Sequence, residues 1–259
     1  MATQPKAAEY KNSKKTIQKV CVVIPAFNEA SVIAKVASSI PKDIKLKDGQ
    51  HFAIELLFID DCSDDGTAQI VDNLAEQDHH ISVLHHVFNT GAGGATRSGF
   101  SYILHKKPTE YTYCLTMDAD GQHKSKDIKN LIQAMQDSDT DFIVGSRLMG
   151  EGSKSVPWSR RVANNVISGF SNLLLDTGIK DTQSGIKIIK SSHLKHIANF
   201  RSNRYSFCTE MLWQAKNNGL HMKEAPISVE YNEYSLSKGQ SAWNALNLLT
   251  EILWARVSK

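Results

Sequence analysis

The residues best suited to chemistry lie in Tyr111–His123, which reads Y-T-Y-C-L-T-M-D-A-D-G-Q-H. An apolar, β-rich run (Tyr111, Tyr113, Leu115, Met117) ends on two aspartates, Asp118 and Asp120, with one small residue between them. Side chains at i and i+2 of an extended chain share a face, so both carboxylates point the same way. Like charges that close oppose each other's ionisation unless something positive sits between them. Mg²⁺ or Mn²⁺ with a phosphate-bearing substrate suits that place, because these ions prefer oxygen ligands. Gln122 and His123 follow at once and offer a further oxygen or nitrogen ligand. Asp and Gly also collect after strands because they begin turns, so the pair gains meaning only from what else reaches the same place.

The elements that must position these acids come from periodicity. Val20–Ile24, Ile54–Ile59, Ile81–Leu84, Tyr111–Met117 and Asp141–Val144 read as near-continuous apolar strands. Between them lie helical patterns: one capped by Asn28 and running to about Ile40, one carrying Ile70, Val71 and Leu74, one opened by Asn89–Gly94 and one over Ser125–Gln136. Strand–helix alternation with buried strands predicts an α/β fold with a parallel sheet covered on both faces. In such a sheet the carboxyl ends share one edge, where ligands bind. Asp60-Asp61, the Gly91–Gly94 turn and Asp118/Asp120 therefore converge. The glycine-rich helix start favours an anion and the acids a cation or ribose hydroxyls, so a nucleotide diphosphate with its metal satisfies both. Neither the G-x-G-x-x-G fingerprint nor a Walker lysine is present.

After about residue 150 the rhythm changes. Arg160–Leu175 reads as an amphipathic helix, Ile186–Ile189 as a short strand, Phe207–Asn218 as a helix, Met222–Tyr231 as a strand and Trp243–Arg256 as a last helix. The division predicted is a basic tail (1–18), a nucleotide-sugar half (19–150) and an acceptor half (151–259) of one continuous domain. A hydrophobic content of 41% is ordinary for a soluble globular chain, and a net charge of +3, partly from tail lysines, argues against nucleic acid. No run approaches the length that spans a bilayer. Cys21, Cys62, Cys114 and Cys208 lack metal-ligand spacing and read as small buried thiols in a reducing compartment. The pairs His79-His80 and His85-His86 read as surface or strand-end residues.

Six motifs occur in order: I-P-A-F-N-E (24–29), I-D-D-C-S-D-D-G-T (59–67), M-D-A-D-G-Q-H (117–123), G-S-R (145–147), D-T-Q-S-G-I-K (181–187) and T-E-M (209–211). Together they resemble the family 2 glycosyltransferases of GT-A fold, and within them the polyprenyl-phosphate branch that includes dolichyl-phosphate mannose synthase. The resemblance spans roughly residues 20 to 240. It implies a Rossmann-like, mostly parallel sheet with C-terminal amphipathic helices. It places Pro25, Phe27, Glu29, Ile59, Asp61, Gly91, Asp118 and Ala119 at the nucleotide-sugar donor, with Asp61 reading the base. Asp118, Asp120 and Gln122 would hold Mg²⁺ or Mn²⁺; Arg147, Arg160, Arg161 and Lys238 would grip the phosphate of a polyprenyl acceptor. Asp118, Asp120 and Arg147 carry the catalytic burden in this reading. The glycine turn departs from the family in having Ala92 where a lysine is usual, leaving phosphate contacts there to Arg97 or to none. The loop before Lys238 reads Asn232-Glu233-Tyr234 where a basic residue is common.

The implied reaction is inverting displacement of a nucleoside diphosphate by a phosphomonoester, which needs no general base because its second pKa, about 6, leaves it largely dianionic. Glu210 therefore reads as structural or orienting. A lipid acceptor requires a membrane surface, reached by the helices at 160–175 and 243–256, with the chain peripheral at the cytoplasmic face and a small membrane subunit as a further partner. The alternatives are transfer to a sugar or protein hydroxyl, and a catalytically silent nucleotide-sugar-binding subunit.

Overall fold

The computed structural model describes residues 17–149, 176–203 and 206–230, together with 161, 162, 165, 166, 168, 169 and 172, which are helical. Arg160, Lys238, the helix at 243–256 and most of the tail fall outside the described residues.

The elements are β1 (Gln18–Ala26), α1 (Ile33–Ser39), β2 (Asp43–Lys45), β3 (His51–Asp60), α2 (Thr67–Gln77), β4 (Ile81–His85), α3 (Gly91–Lys106), β5 (Tyr113–Thr116), α4 (Ser125–Gln136), β6 (Phe142–Ser146), β7 (Lys187–Lys190), α5 (Phe207–Asn217) and β8 (Met222–Pro226). The eight strands form one sheet in the order β2-β3-β1-β5-β7-β6-β8, with β4 also on β3. The pairs β1/β3, β1/β5, β3/β4 and β6/β8 are parallel; β2/β3, β5/β7 and β6/β7 are antiparallel. The sheet is thus mostly parallel, as predicted, but β6 does not lie next to β5. The later strand β7 enters between them, placing Lys187 beside Thr116 and beside Val144.

Strand alternation divides the core. Val20, Val22 and Ile24 face α1, α2 and α4 through Ile33, Val36, Val71, Ile128, Leu131 and Ile132. Cys21 and Val23 face α3 and α5 through Ala95, Phe100, Ile103, Met211 and Leu212. A Cβ on Gly99 would lie 2.5 Å from Val23 Cγ1, so this glycine lets α3 lie against β1.

Three local expectations change. Asn28 does not cap a helix: it sits at φ 55°, and α1 begins only at Ile33, after a turn in which Val32 N and Ile33 N donate to Glu29 O. The polar stretch after α1 contains the short antiparallel strand β2. Cys62 is exposed, whereas Cys21, Cys114 and Cys208 are buried, and all four are free thiols.

Candidate active site

The acidic tip is where the alternation argument put it. Thr116 ends β5, Ala119 is buried in the core, and Asp118 and Asp120 face the other way, the Asp118 side chain 53% exposed to the crevice. Gln122 N donates to Asp120 Oδ1 (3.0 Å) and its side-chain amide to Asp120 Oδ2. The tip is anchored beyond β8: His123 bridges Val229, and Glu230 N donates to Gln122 O (2.9 Å). His123 Nε2 lies 3.4 Å from Asp118 Oδ2, while its buried Nδ1 has no hydrogen-bond partner among the described residues.

The two carboxyls are driven apart electrostatically. Surrounding protein disfavours charge on Asp118, but His123, Lys187 and Arg147 outweigh it and hold this carboxyl below the usual range. Asp120 is pushed above it, first by burial and then by the Asp118 charge. Such a pair with an amide oxygen alongside is an all-oxygen donor set with surplus negative charge, which suits Mg²⁺ or Mn²⁺. The residues present fit the ion: Asp118, Asp120 and Gln122 Oε1 would hold it. Elsewhere among the described residues, Asp78, His79 and His80 bring ligand atoms within 4.8 Å of one another. There, however, the carboxylate is already held by Lys42 at 2.7 Å.

Asp118 rests on a glycine from the other half of the molecule. A Cβ on Gly185 would lie 1.9 Å from Asp118 Oδ2, so only glycine leaves room for the carboxylate. Thr116 Oγ1 donates to Gly185 O (2.9 Å), Gly145 N to Ile186 O (3.0 Å), and the buried Lys187 Nζ to Ser184 O. The motif at 181–187 is thus a floor beneath the acids. Lys187, 2% exposed, is the residue the sequence reading missed. The sequence places it inside the short strand Ile186–Ile189 with no role assigned, and only the pairing of β7 with β5 sets its charge beside Asp118.

Arg147 is committed differently from its expected role. Its backbone N, Nε and Nη2 all donate to the fully buried Asp181 carboxylate, at 2.8, 2.9 and 2.7 Å. Burial would raise the Asp181 carboxyl, but Arg147 outweighs it and holds it low. Arg147 is therefore first the counter-charge of Asp181. Arg161 lines a cavity of about 450 Å³ together with Leu148, Asn165, Ser168, Asn172 and Lys180. Glu210 holds the loop before α5: its two oxygens accept from Arg201 N (2.9 Å) and Ser202 N (3.0 Å), the structural role anticipated for it.

On the donor side, loops after β1 and β3 are cross-bonded. Asn28 Nδ2 donates to Asp64 Oδ1 (2.8 Å), Glu29 N to Thr67 Oγ1 (2.8 Å) and Ala30 N to Asp65 Oδ2 (3.0 Å). Pro25 is half-buried and Phe27 44% exposed at this rim, with Glu29 buried behind them. Four readings are corrected here. Ile59 is fully buried and would sit 3.0 Å from a Gly99 Cβ, so its side chain faces α3 rather than a donor. Ala119 likewise packs in the core and offers only backbone. The Asp61 carboxylate is 3% exposed and accepts from Thr90 N (2.8 Å), Thr90 Oγ1 (2.8 Å), Gly91 N (2.7 Å) and His86 Nδ1 (2.7 Å). The anion at the start of α3 is therefore Asp61 itself, which leaves neither its carboxylate to read a base nor Gly91 N to hold a phosphate. Arg97 is also turned away, donating to Phe200 O (3.1 Å) and Asn203 Oδ1 (2.8 Å).

A twisted, mostly parallel sheet with paired acids at its carboxyl edge and an antiparallel strand crossing into it defines a GT-A glycosyltransferase. Residues 21–198 match the profile described as Glycosyl transferase family 2, and the chain belongs to that family. It is 30% identical over 256 residues to UDP-N-acetylglucosamine--dolichyl-phosphate N-acetylglucosaminyltransferase of Methanococcus voltae, covering 93% of this chain and 97% of that one. It is also 30% identical over 229 residues to polyprenol monophosphomannose synthase of Mycolicibacterium smegmatis, covering 85% and 81%. Among solved structures it resembles glucosyl-3-phosphoglycerate synthase from Mycobacterium tuberculosis, in complex with Mn²⁺, UDP and glucosyl-3-phosphoglycerate. That match has a TM-score of 0.67 at 15% identity, covering 100% of this chain and 86% of that one, and so speaks to the fold.

Proposed function

We propose that this glycosyltransferase moves a single hexose from a nucleotide sugar to the phosphate of a polyprenyl or dolichyl monophosphate, with inversion at the anomeric carbon. The observation that carries the reading is the Asp118–Asp120–Gln122 tip, seated on Gly185 beside the cross-bonded donor loops, in a chain whose relatives act on lipid phosphates by name. Asp118, Asp120 and Gln122 would hold Mg²⁺ or Mn²⁺, which when bound would neutralise charge developing on the diphosphate leaving group. Despite its burial, the Asp118 carboxyl is held below the usual range by His123, then Lys187 and Arg147, which favours the ionised form for that purpose. The dianionic acceptor phosphate attacks without a base. Its anchoring falls to Arg161 and Lys180, the two cations of the cavity beside Leu148, with Arg160 and Lys238 as further candidates. Arg147 contributes as the shared counter-charge of Asp181 rather than as a free phosphate clamp.

No helix among the described residues is long and apolar enough to cross a membrane; in this reading the chain meets its lipid acceptor at the membrane surface, on the cytoplasmic face. The two relatives of equal identity name different sugars, which leaves the donor to experiment. The test is to incubate the full chain with dolichyl phosphate, Mn²⁺ and, in turn, radiolabelled UDP-GlcNAc, UDP-Glc and GDP-Man. Label in the organic extract with one donor supports the proposal and names the sugar. Transfer seen only to water-soluble acceptors overturns it in favour of a hydroxyl acceptor. Activity that appears only with added membrane extract points to the small membrane subunit.

A further inference from the structure

We infer that His86 is a positioning residue for the donor pocket. It acts through Asp61, which joins the three loops that wall that pocket. The inference rests on the proposed donor site and extends it to a residue with no part in the metal site.

Asp61 is bonded in three directions. Its backbone N donates to Ala26 O (2.9 Å), at the root of the β1 loop bearing Phe27 and Glu29. Its carboxylate takes the backbone N–H groups of Thr90 (2.8 Å) and Gly91 (2.7 Å) at the start of α3, and Asn89 Nδ2 donates to its carbonyl oxygen (3.2 Å). Moving this carboxylate would therefore release the Thr90-Gly91 turn after β4 from the β3 loop, which the Asp61 backbone N ties to β1. His86 is what keeps it in place from β4: Nδ1–H donates to Asp61 Oδ1 at 2.7 Å, and Nε2 accepts from Ser98 Oγ at 2.9 Å. The imidazole thereby spans from the Asp61 carboxylate to the second turn of α3, with its side chain only 15% exposed. A ring bonded at both nitrogens has one orientation, and the Asp61 carboxylate, which can only accept, calls for the proton on Nδ1, leaving Nε2 to the Ser98 hydroxyl. Asp61 buried without that donor would keep its bonds to the Thr90-Gly91 turn but lose a charge-assisted bond on one oxygen. Such bonds are about twice as strong as neutral ones. The turn would then be free to shift, and binding of the nucleotide part of the donor would weaken without touching the acids at β5.

Full-length wild type, His86→Phe, His86→Asn, His86→Gln and Ser98→Ala are compared with Mn²⁺ present. Donor affinity is measured calorimetrically with UDP-GlcNAc, UDP-Glc and GDP-Man, and KM and kcat are then determined for donor and for dolichyl phosphate. His86→Phe is expected to weaken binding of the cognate donor about tenfold and to raise donor KM alike, with kcat and acceptor KM within twofold. His86→Asn, whose amide nitrogen takes the place of Nδ1, is expected to restore most of the affinity. His86→Gln, which reaches only toward Ser98, is not, and Ser98→Ala should show a two- to threefold loss. Equal donor affinity in wild type and His86→Phe overturns the inference and leaves the functional reading intact. So does a failure of His86→Asn to exceed His86→Gln, which also decides the matter should the phenylalanine variant not fold. A wild type that binds none of the three donors overturns the functional reading, and the inference with it.

Discussion

The two halves of the sheet are held together by different physics. In the donor half, the loops after β1 and β3 are fastened mainly by neutral and singly charged hydrogen bonds, as at Asn28, Thr67 and Asp65, with the buried Asp61 carboxylate as the exception. In the acceptor half, the floor under the acids contains buried charge: Asp181 against Arg147, and Lys187 between Ser184 and Asp118. Bonds of the first kind are worth about 0.5–1.5 kcal/mol each and can be lost singly. A buried ion left without its partner costs about 3–5 kcal/mol. Away from Asp61 the donor loops can therefore tolerate change, while Asp181 and Arg147 depend on each other.

The sharpest way to break the comparison is at a point where the acids and the floor meet. Gly185→Ala puts a methyl group where the Asp118 carboxylate lies. Transfer activity should fall on the order of 10²–10³-fold, the size seen when one preorganised electrostatic group is lost, with Mn²⁺ affinity falling alongside and the melting temperature changing little. Manganese titration by electron paramagnetic resonance, beside the transfer assay, checks both. Unchanged metal affinity would separate the floor from the tip.

Next in size is Arg147→Ala, which strands the fully buried Asp181 and should cost about 3–5 kcal/mol in urea denaturation. Asp181→Asn gives the pH counterpart. Because Asp181 is held below its ordinary range, its contribution is present above the unfolded pKa, about 3.9, and is lost as pH falls through the lower folded value. The variant should lack that acid-dependent loss in a series of melts from pH 6 to pH 2.

In the donor half, Asn28→Ala removes the reciprocal bonds with Asp64 and should cost only about 1 kcal/mol, although replacing a residue at φ 55° adds backbone strain. The smallest effect belongs to His85, set between Asp60 (3.2 Å) and Asp72 (2.9 Å). Burial would lower its pKa, but the two carboxylates prevail and raise it. Its stabilisation is thus complete below about pH 6.5 and fades as pH rises through the raised value. With the side chain 40% exposed, screening keeps this below about 1 kcal/mol. His85→Gln should flatten the difference between melts at pH 6 and pH 9.

Much of this was readable from local pattern. Strand positions and the shared facing of Asp118 and Asp120 follow from periodicity, and the structural use of Glu210 from a reaction that needs no base. What was not readable depends on partners far away in the chain. Nothing in K-I-I-K at 187–190 says that this strand inserts antiparallel between β5 and β6, so neither Lys187 nor Gly185 could be placed under Asp118. The motifs point Asp61 at the donor base and Arg147 at the acceptor phosphate, but their occupancy by Thr90, Gly91 and His86, and by Asp181, is decided by tertiary contacts. Hydrophobic patterning tells which face a residue takes; it does not tell which counter-ion waits there.

The border of the sheet beyond β3 is shared by two short strands running in opposite directions, β2 against residues 51–53 and β4 against residues 56–60. At the far border, β8 contributes only five residues before Pro226 closes it. A visiting strand needs a long row of unpaired backbone groups in a single direction to add itself on. Among the described residues the sheet shows it two broken hems instead, a poor template for a visiting strand.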